Sequence, residues 1–430
     1  METDSDIIRI HGGQPITGDI EVSGAKNSVL KLMAASILAP GQTCIQNVPV
    51  ISDVILMGDV LQHLGADVGF LGSSLTIDSS GVDQIATPYE LVVKMRASIA
   101  VLGPLLGRFN HAQVAMPGGC NIGSRKLDLH ISALEALGVQ FDLEDGVIIA
   151  DAANGLHGAS VYLDFPSVGA TENLMMAAVK AKGQTTIENA AREPEIVDLA
   201  DYLNAMGAQV YGAGTPVVEI HGVSELRPVA RHRTVGDRIE AGTFLVAGAL
   251  LGGPLRAVGV RPEHLQMALL KLEDMGIEVD RQDDAVTVAR SRPIRPTSIQ
   301  TLPYPGFPTD LQTQFMVLCC LASGQSMISE NIFENRFQLV NELVRMGAQI
   351  DAQGHFAHIQ GVPALFGAPV QATELRGGAA LVLAGLVADG QTEITGLSHI
   401  DRGYEHLTKK LQALGADITR YTPEKKGADS

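Results

Sequence analysis

Met206-Gly207-Ala208-Gln209-Val210 and Met346-Gly347-Ala348-Gln349-Ile350 are nearly one pentapeptide written twice. Four more stretches carry the same punctuation: Leu64-Gly65-Ala66-Asp67-Val68, Leu137-Gly138-Val139, Met275-Gly276-Ile277 and Leu414-Gly415-Ala416-Asp417-Ile418. Successive glycines stand 68 to 73 residues apart. A period of that size is one supersecondary unit used six times.

Upstream of each glycine the apolar residues fall three or four apart, as in Ile196, Leu199, Leu203 and Met206. That spacing predicts an amphipathic helix, which a glycine in the left-handed conformation then caps. Downstream the pattern turns β-prone with a turn in its middle, as in residues 139–150 around Asp145-Gly146, so each unit closes with a hairpin. The other half of each unit holds a second helix, at 25–38, 96–106, 171–181, 238–251, 310–321 and 376–388. These are apolar or small nearly all round, which places them in a core. The order is strand, buried helix, strand, surface helix, hairpin.

Six such units exceed one core, and 430 residues suggest two or three domains. The units divide as three plus three, with a break near 231–236 after the polar interruption Arg227-Pro228-Val229-Ala230-Arg231-His232-Arg233. The cleft between the halves is then the expected ligand site. Hydrophobic residues make up 46%, enough for two cores, yet no apolar run reaches the ~18 residues a bilayer requires. The acidic start Met1-Glu2-Thr3-Asp4-Ser5-Asp6 does not read as a secretory signal. Four cysteines show neither a disulfide framework nor metal-ligand spacing, so the expected compartment is the reducing cytoplasm. A net charge of −17, no Trp and 4% aromatic residues argue against nucleic acid as a partner.

The informative charges are the basic ones at the starts of the buried helices: Lys26 beside Asn27, Arg96, Arg238 and Arg376. A helix N-terminus carries partial positive charge, so a cation there strengthens an anion site unless a neighbouring acid pairs with it. The segment Met116-Pro117-Gly118-Gly119-Cys120-Asn121-Ile122-Gly123-Ser124-Arg125-Lys126 reads as a lid-like loop. Its two cations would lower the thiol pKa of Cys120 and suit it to donate a proton or act as nucleophile. Cys44, Cys319 and Cys320 lie in apolar contexts and read as core.

At these residues the chain resembles the UDP-N-acetylglucosamine 1-carboxyvinyltransferase family, of the EPSP synthase superfamily. The matching stretches are Ser23-Gly24-Ala25-Lys26-Asn27, Met95-Arg96-Ala97-Ser98, the Pro117 to Arg125 loop, Ser167-Val168-Gly169-Ala170-Thr171-Glu172-Asn173, Ala191-Arg192-Glu193-Pro194-Glu195-Ile196-Val197-Asp198, Phe307-Pro308-Thr309-Asp310, Ile332-Phe333-Glu334-Asn335-Arg336 and His399-Ile400-Asp401-Arg402-Gly403-Tyr404.

The resemblance implies an EPSP synthase-like fold, two inside-out α/β barrel domains with six β-α-β-α-β-β repeats. Residues 23–235 would form the first domain, 1–22 with 236–425 the second, and 426–430 a disordered tail. It implies transfer of the enolpyruvyl group of phosphoenolpyruvate to UDP-N-acetylglucosamine, the first committed step of peptidoglycan synthesis, with the ties to cell shape and division that follow. Cys120 would be the general acid and Asp310 the base, with Lys26 and Arg402 completing the catalytic set. Lys26, Arg96, Arg125, Arg336, Arg376 and Arg402 would bind phosphate and carboxylate, and Asn27 the tetrahedral intermediate. Contacts to the nucleotide sugar would come from Arg96, Arg125, Lys126, Leu127, Asp128, Leu129, Ser167, Val168, Gly169, Asp310 and Ile332. No metal or organic cofactor and no membrane partner is implied, and a thiol-directed epoxide inhibitor is expected to alkylate Cys120.

The chain departs from the family pattern at Glu374, where Asp is commoner, and at Val50, Ser52 and Phe165, where some members carry lysine at or beside the position. Two other readings stand beside this one: transfer to shikimate 3-phosphate, and a catalytically silent paralogue. Against the first, that sister family lacks the Pro-Gly-Gly-Cys loop. Against the second, Lys26, Cys120, Asp310 and Arg402 are all present.

Overall fold

A computed structural model of the chain describes residues 5–92, 96–116 and 127–423. All six repeat glycines have φ between +87° and +104°, the left-handed conformation that ends a helix and turns the chain into the next strand. The hairpins follow. Gln140–Glu144 pairs antiparallel with Val147–Asp151, and the two residues between them, Asp145 and Gly146, have φ of +48° and +78°. Two left-handed residues in succession are what a tight type I′ turn requires.

The described residues form five four-stranded sheets and one three-stranded sheet. In the third and fifth repeats the order is the simple one, an entry strand, a core helix, a middle strand parallel to the entry strand, an outer helix and a hairpin. The second repeat keeps three strands, with only an isolated parallel bridge from Ala86 to Gln113 at the entry position, and in the first, fourth and sixth repeats distant segments complete the pattern. Gly18–Glu21 runs parallel to Leu255–Val258 and is the entry strand of the fourth sheet. His232–Arg233 does the same for the first, beside Gln42–Gln46. The sixth repeat ends on a single strand, Asp417–Tyr421, and Ile7–His11 from the start of the chain supplies its antiparallel partner. The closing hairpin expected there is therefore replaced by a strand from the other end of the chain.

The chain forms two compact units, one from residues 24–92, 96–116 and 127–236, the other from 5–23 and 237–423. Each has its own apolar core. The first is built around helices Lys26–Ala35, Leu102–Phe109 and Val168–Ala178. The second surrounds Arg238–Leu251, Gln312–Cys320 and Leu375–Val387. Gly103 shows how closely such helices approach, since a Cβ there would stand 2.3 Å from the Asn173 carbonyl oxygen.

These core helices are less uniformly apolar than the sequence pattern suggests. Their early turns bury Thr171, Glu172, Asn173, Glu240, Thr243 and Gln312 to Gln314, and much of this polarity is paired. Asn173 accepts from Gly103 N (2.8 Å) and donates to Ile99 O (3.1 Å). Gln314 Nε2 donates to the Thr243 and Tyr404 hydroxyls at 3.1 and 3.2 Å. Buried polar groups with satisfied bonds fix one packing arrangement where a purely apolar core would tolerate several. Cys319 and Cys320 are buried as read, and burial pushes the Cys319 thiol up to about 12. Cys44, read as core, is only half-buried. In its strand the inward positions belong to Thr43 and Ile45, and the period of two turns Cys44 the other way.

Two outcomes follow for stability. Gly207→Ala meets no atom within 4 Å and should cost only left-handed strain, about 1 kcal/mol. Gly65→Ala would add a Cβ 2.4 Å from the Gly81 carbonyl oxygen and should cost clearly more in urea unfolding; equal losses would contradict the capping geometry. Glu172 is the second case. Burial pushes its carboxyl up to about 7 from an ordinary 4.5, although Lys31 Nζ lies 3.1 Å away and pulls it down. The folded state then holds a proton that the unfolded chain releases above 4.5. Its contribution is full below that pH and is lost as pH rises to about 7, by up to ~3 kcal/mol. Glu172→Gln should flatten stability across this window, and an unchanged slope would show that another group carries it.

Candidate active site

In the unit of residues 237–423, the turn Thr309–Leu311 starts the fifth core helix behind Pro308. It presents Asp310 to two guanidiniums. Asp310 Oδ1 accepts from Arg336 Nη2 at 3.0 Å, and Oδ2 accepts from Arg376 Nε and Nη2 at 3.2 and 3.1 Å. Both arginines are almost fully buried, whereas the Asp310 side chain remains a quarter exposed.

Arg376 stands in the first turn of the sixth core helix, whose N-cap Glu374 accepts from the backbone N–H groups of Arg376 (2.8 Å) and Gly377. Its guanidinium lies 5.3 Å from the centre of the Tyr404 ring. Burial works against its charge, but Tyr404, Asp310 and Asp237 outweigh burial and hold its pKa above the ordinary value. Asp237 is itself the N-cap of the fourth core helix, accepting from Ile239 N and Glu240 N at 2.8 and 3.0 Å. The first turns of all three core helices of this unit thus converge on one charged cluster.

Within that cluster Arg336 Nε and Arg376 Nη1 are buried with no hydrogen-bond acceptor among the described residues. Buried donors without acceptors are rare. Guanidinium N–H groups beside helix N-termini suit the oxygens of a phosphate or carboxylate. Arg402 lies half-buried in the turn after Leu397–Ile400. Its neighbour Asp401 is gripped by both Nη atoms of Arg420 at 2.8 and 2.9 Å. Ile332 is half-buried.

The other unit gathers the remaining expected residues in two places. Lys26 opens the first core helix, and its Nζ lies 2.6 Å from Asp53 Oδ2, both groups buried. Asn27 beside it is half-buried. Pairing with a neighbouring acid, one of the two readings for these cations, is thus what the structure gives Lys26. Ser167 caps the third core helix by accepting from Ala170 N, with Val168 and Gly169 in the first turn. Leu127 leads into helix Asp128–Glu135. His130 of that helix packs so close that a Cβ on Gly169 would stand 3.0 Å from its ring, and it bonds Asn173 at 3.1 Å. Leu127, Asp128 and Leu129 are thereby held next to residues 167–169. Arg96 opens the short helical stretch Arg96–Val101, but its side chain lies outside what is described, as do Cys120, Arg125 and Lys126. The sequence reading did not single out Asp53, His130 or Glu330. Helical periodicity marks Asp53 only as a first-turn acid, and nothing local signals its partner.

A repeated α/β fold whose buried helix starts collect guanidiniums around a carboxylate has the geometry that suits an anionic ligand. The chain belongs to the EPSP synthase (3-phosphoshikimate 1-carboxyvinyltransferase) family, which it matches over residues 10–411. It is 51% identical to "UDP-N-acetylglucosamine 1-carboxyvinyltransferase 2" of Staphylococcus saprophyticus, covering 96% of this chain and 99% of that protein. It is 52% identical, with the same coverage, to UDP-N-acetylglucosamine 1-carboxyvinyltransferase of Geobacter metallireducens. Among solved structures it resembles the enolpyruvyl transferase NikO from Streptomyces tendae, with TM-score 0.87 and 27% identity over 97% of this chain and 99% of that one. EPSP synthase from Acinetobacter baumannii shares the fold, with TM-score 0.76 at 17% identity over the same shares.

Proposed function

We propose that the chain is a transferase that moves the enolpyruvyl group of phosphoenolpyruvate to the 3′-hydroxyl of UDP-N-acetylglucosamine and releases inorganic phosphate, in the cytoplasm, for peptidoglycan synthesis. The observation that carries this reading is identity of 51–52% over 96% of the chain with proteins of that name. The Asp310–Arg336–Arg376 cluster supports it independently, because the donor substrate brings a phosphate and a carboxylate to be held.

The reaction is addition followed by elimination. Carbon 2 of the enol phosphate becomes electrophilic as carbon 3 takes a proton, and the sugar oxygen bonds to carbon 2 while losing its own proton. The carbon 2 to phosphate oxygen bond then breaks, carbon 3 gives back a proton, and the double bond is restored. Cys120 is assigned the proton at carbon 3, and Asp310 the proton of the sugar hydroxyl. Lys26, Arg96, Arg125, Arg336, Arg376 and Arg402 hold the anionic groups, and Asn27 the tetrahedral intermediate. Incoming anion oxygens compete with Asp310 for the N–H groups of Arg336 and Arg376. A guanidinium that turns to them frees the carboxylate to accept a proton. Residues 127–129 and 167–169, held together through His130, offer the surface for the nucleotide sugar.

Phosphate release with phosphoenolpyruvate plus either UDP-N-acetylglucosamine or shikimate 3-phosphate tests the assignment. Turnover is expected with the nucleotide sugar alone; turnover with shikimate 3-phosphate, or none with either, contradicts it. In the same assay Asp310→Asn should lower kcat by about 10²-fold or more with nucleotide-sugar affinity little changed. An effect confined to affinity would make Asp310 a binding group only. Cys120→Ala should abolish product formation while UDP-N-acetylglucosamine still binds, and it should leave no site for a thiol-directed epoxide. A mass-spectrometric adduct surviving in that variant would place the reactive group elsewhere.

A further inference from the structure

Glu330 is 1% exposed, and its carboxylate accepts four hydrogen bonds from three separate segments. Oε1 receives the Thr301 hydroxyl (2.9 Å) and the backbone N–H groups of Ile332 (2.9 Å) and Phe333 (3.1 Å). Oε2 receives the Thr309 hydroxyl at 2.9 Å. All four donors are neutral. The backbone of Glu330 is fixed as well, its N–H donating to His355 O at 2.8 Å and its carbonyl lying 3.0 Å from His355 Nδ1. Burying a carboxylate is costly, and a neutral residue could fill the space without that cost.

What distinguishes this carboxylate is where its donors lead. Thr309 immediately precedes Asp310 in the turn that starts the fifth core helix. Ile332 and Phe333 open the loop that returns as Arg336, whose guanidinium lies 5.7 Å from the Phe333 ring centre and meets Asp310 at 3.0 Å. Thr301 anchors the base of the same loop, since its hydroxyl also receives Asn331 N at 2.9 Å.

We propose that Glu330 is a positioning residue for the transfer reaction: by holding at once the turn that carries Asp310 and the loop that carries Arg336, it sets the separation of proton acceptor and anion-binding guanidinium. This rests on the roles proposed above for Asp310 and Arg336. Placement of this kind matters steeply, because an error of about 1 Å in reacting geometry costs up to ~10²-fold in rate.

Steady-state kinetics of Glu330→Ala, Glu330→Gln and Thr309→Val test it, with phosphoenolpyruvate and UDP-N-acetylglucosamine as substrates. Gln keeps an oxygen for the three donors at Oε1, and its amide can donate to Thr309. Glu330→Ala should lower kcat by about tenfold or more while the KM for the nucleotide sugar stays within about threefold. Thr309→Val should lose several-fold, and Glu330→Gln should recover most of the wild-type kcat. The proposal is overturned if Glu330→Ala loses thermal stability but keeps its kcat, or if Gln rescues nothing. If Glu330→Ala does not fold, Thr309→Val decides, and an undiminished kcat there overturns it too. A wild-type enzyme that releases no phosphate with the nucleotide sugar sinks the activity assignment instead. Crystal structures of the same variants then judge Glu330 alone, an Asp310–Arg336 contact unchanged at 3.0 Å counting against it.

Discussion

One carboxylate shared by two buried guanidiniums organises one end of its unit. Arg336 and Arg376 are removed from water almost entirely, a state that is tolerable only if each finds a counter-charge. Asp310 supplies it to both. Because Asp310 and Arg376 stand in the first turns of two core helices, and Asp237 caps a third, the charge balance of the cluster depends on those helices starting together. The repeat secures that start. In the fifth and sixth repeats the core helix follows its own entry strand, Ser298–Gln300 and Pro369–Gln371, while Gly18–Glu21 fills the entry position of the fourth sheet from a distant segment, and the three helix starts still meet around Asp237, Asp310 and Arg376.

The same arrangement explains why the cluster suits a reaction between anions. Asp310 satisfies only part of the donor set, and the donors left over, Arg336 Nε and Arg376 Nη1, are buried. A fully satisfied ion-pair network would rigidify the fold and leave nothing for a ligand to gain. A network with spare N–H groups beside helix N-termini rewards a phosphate or carboxylate that arrives with several oxygens. The other unit holds its cation differently, with Lys26 closed onto Asp53 at 2.6 Å.

Much of this fold is legible in the chain because its signals are local. A glycine after an amphipathic run needs only its own φ to be understood, and all six adopt the left-handed value. Asp145-Gly146 likewise specifies its own hairpin. What is not legible is pairing across long separations. Nothing in the pattern of residues 417–421 says that their partner is Ile7–His11, since the period of two is satisfied by any antiparallel neighbour; the family resemblance places the first residues in the second domain, and only the fold shows which strand they meet. The helix-start cations were visible, but Asp53, Glu330 and His130 were not. Their roles come from where the fold brings them, and their local spacing is ordinary. Of the candidate site, Asp310, Arg336 and Arg376 are brought together as one cluster, Leu127 to Leu129 adjoin Ser167 to Gly169, and the Cys120 loop lies beyond the described residues.

The spare N–H groups around Asp310 are the donors that the proposed function gives to the anion of the donor substrate. Calorimetric binding of phosphoenolpyruvate in saturating UDP-N-acetylglucosamine, to the wild type and to Arg336→Lys, tests it most directly. Lysine keeps the charge but loses the planar fork and the Nε donor. The account predicts affinity weakened by about tenfold or more, with the fold intact by circular dichroism. Unchanged affinity would contradict it.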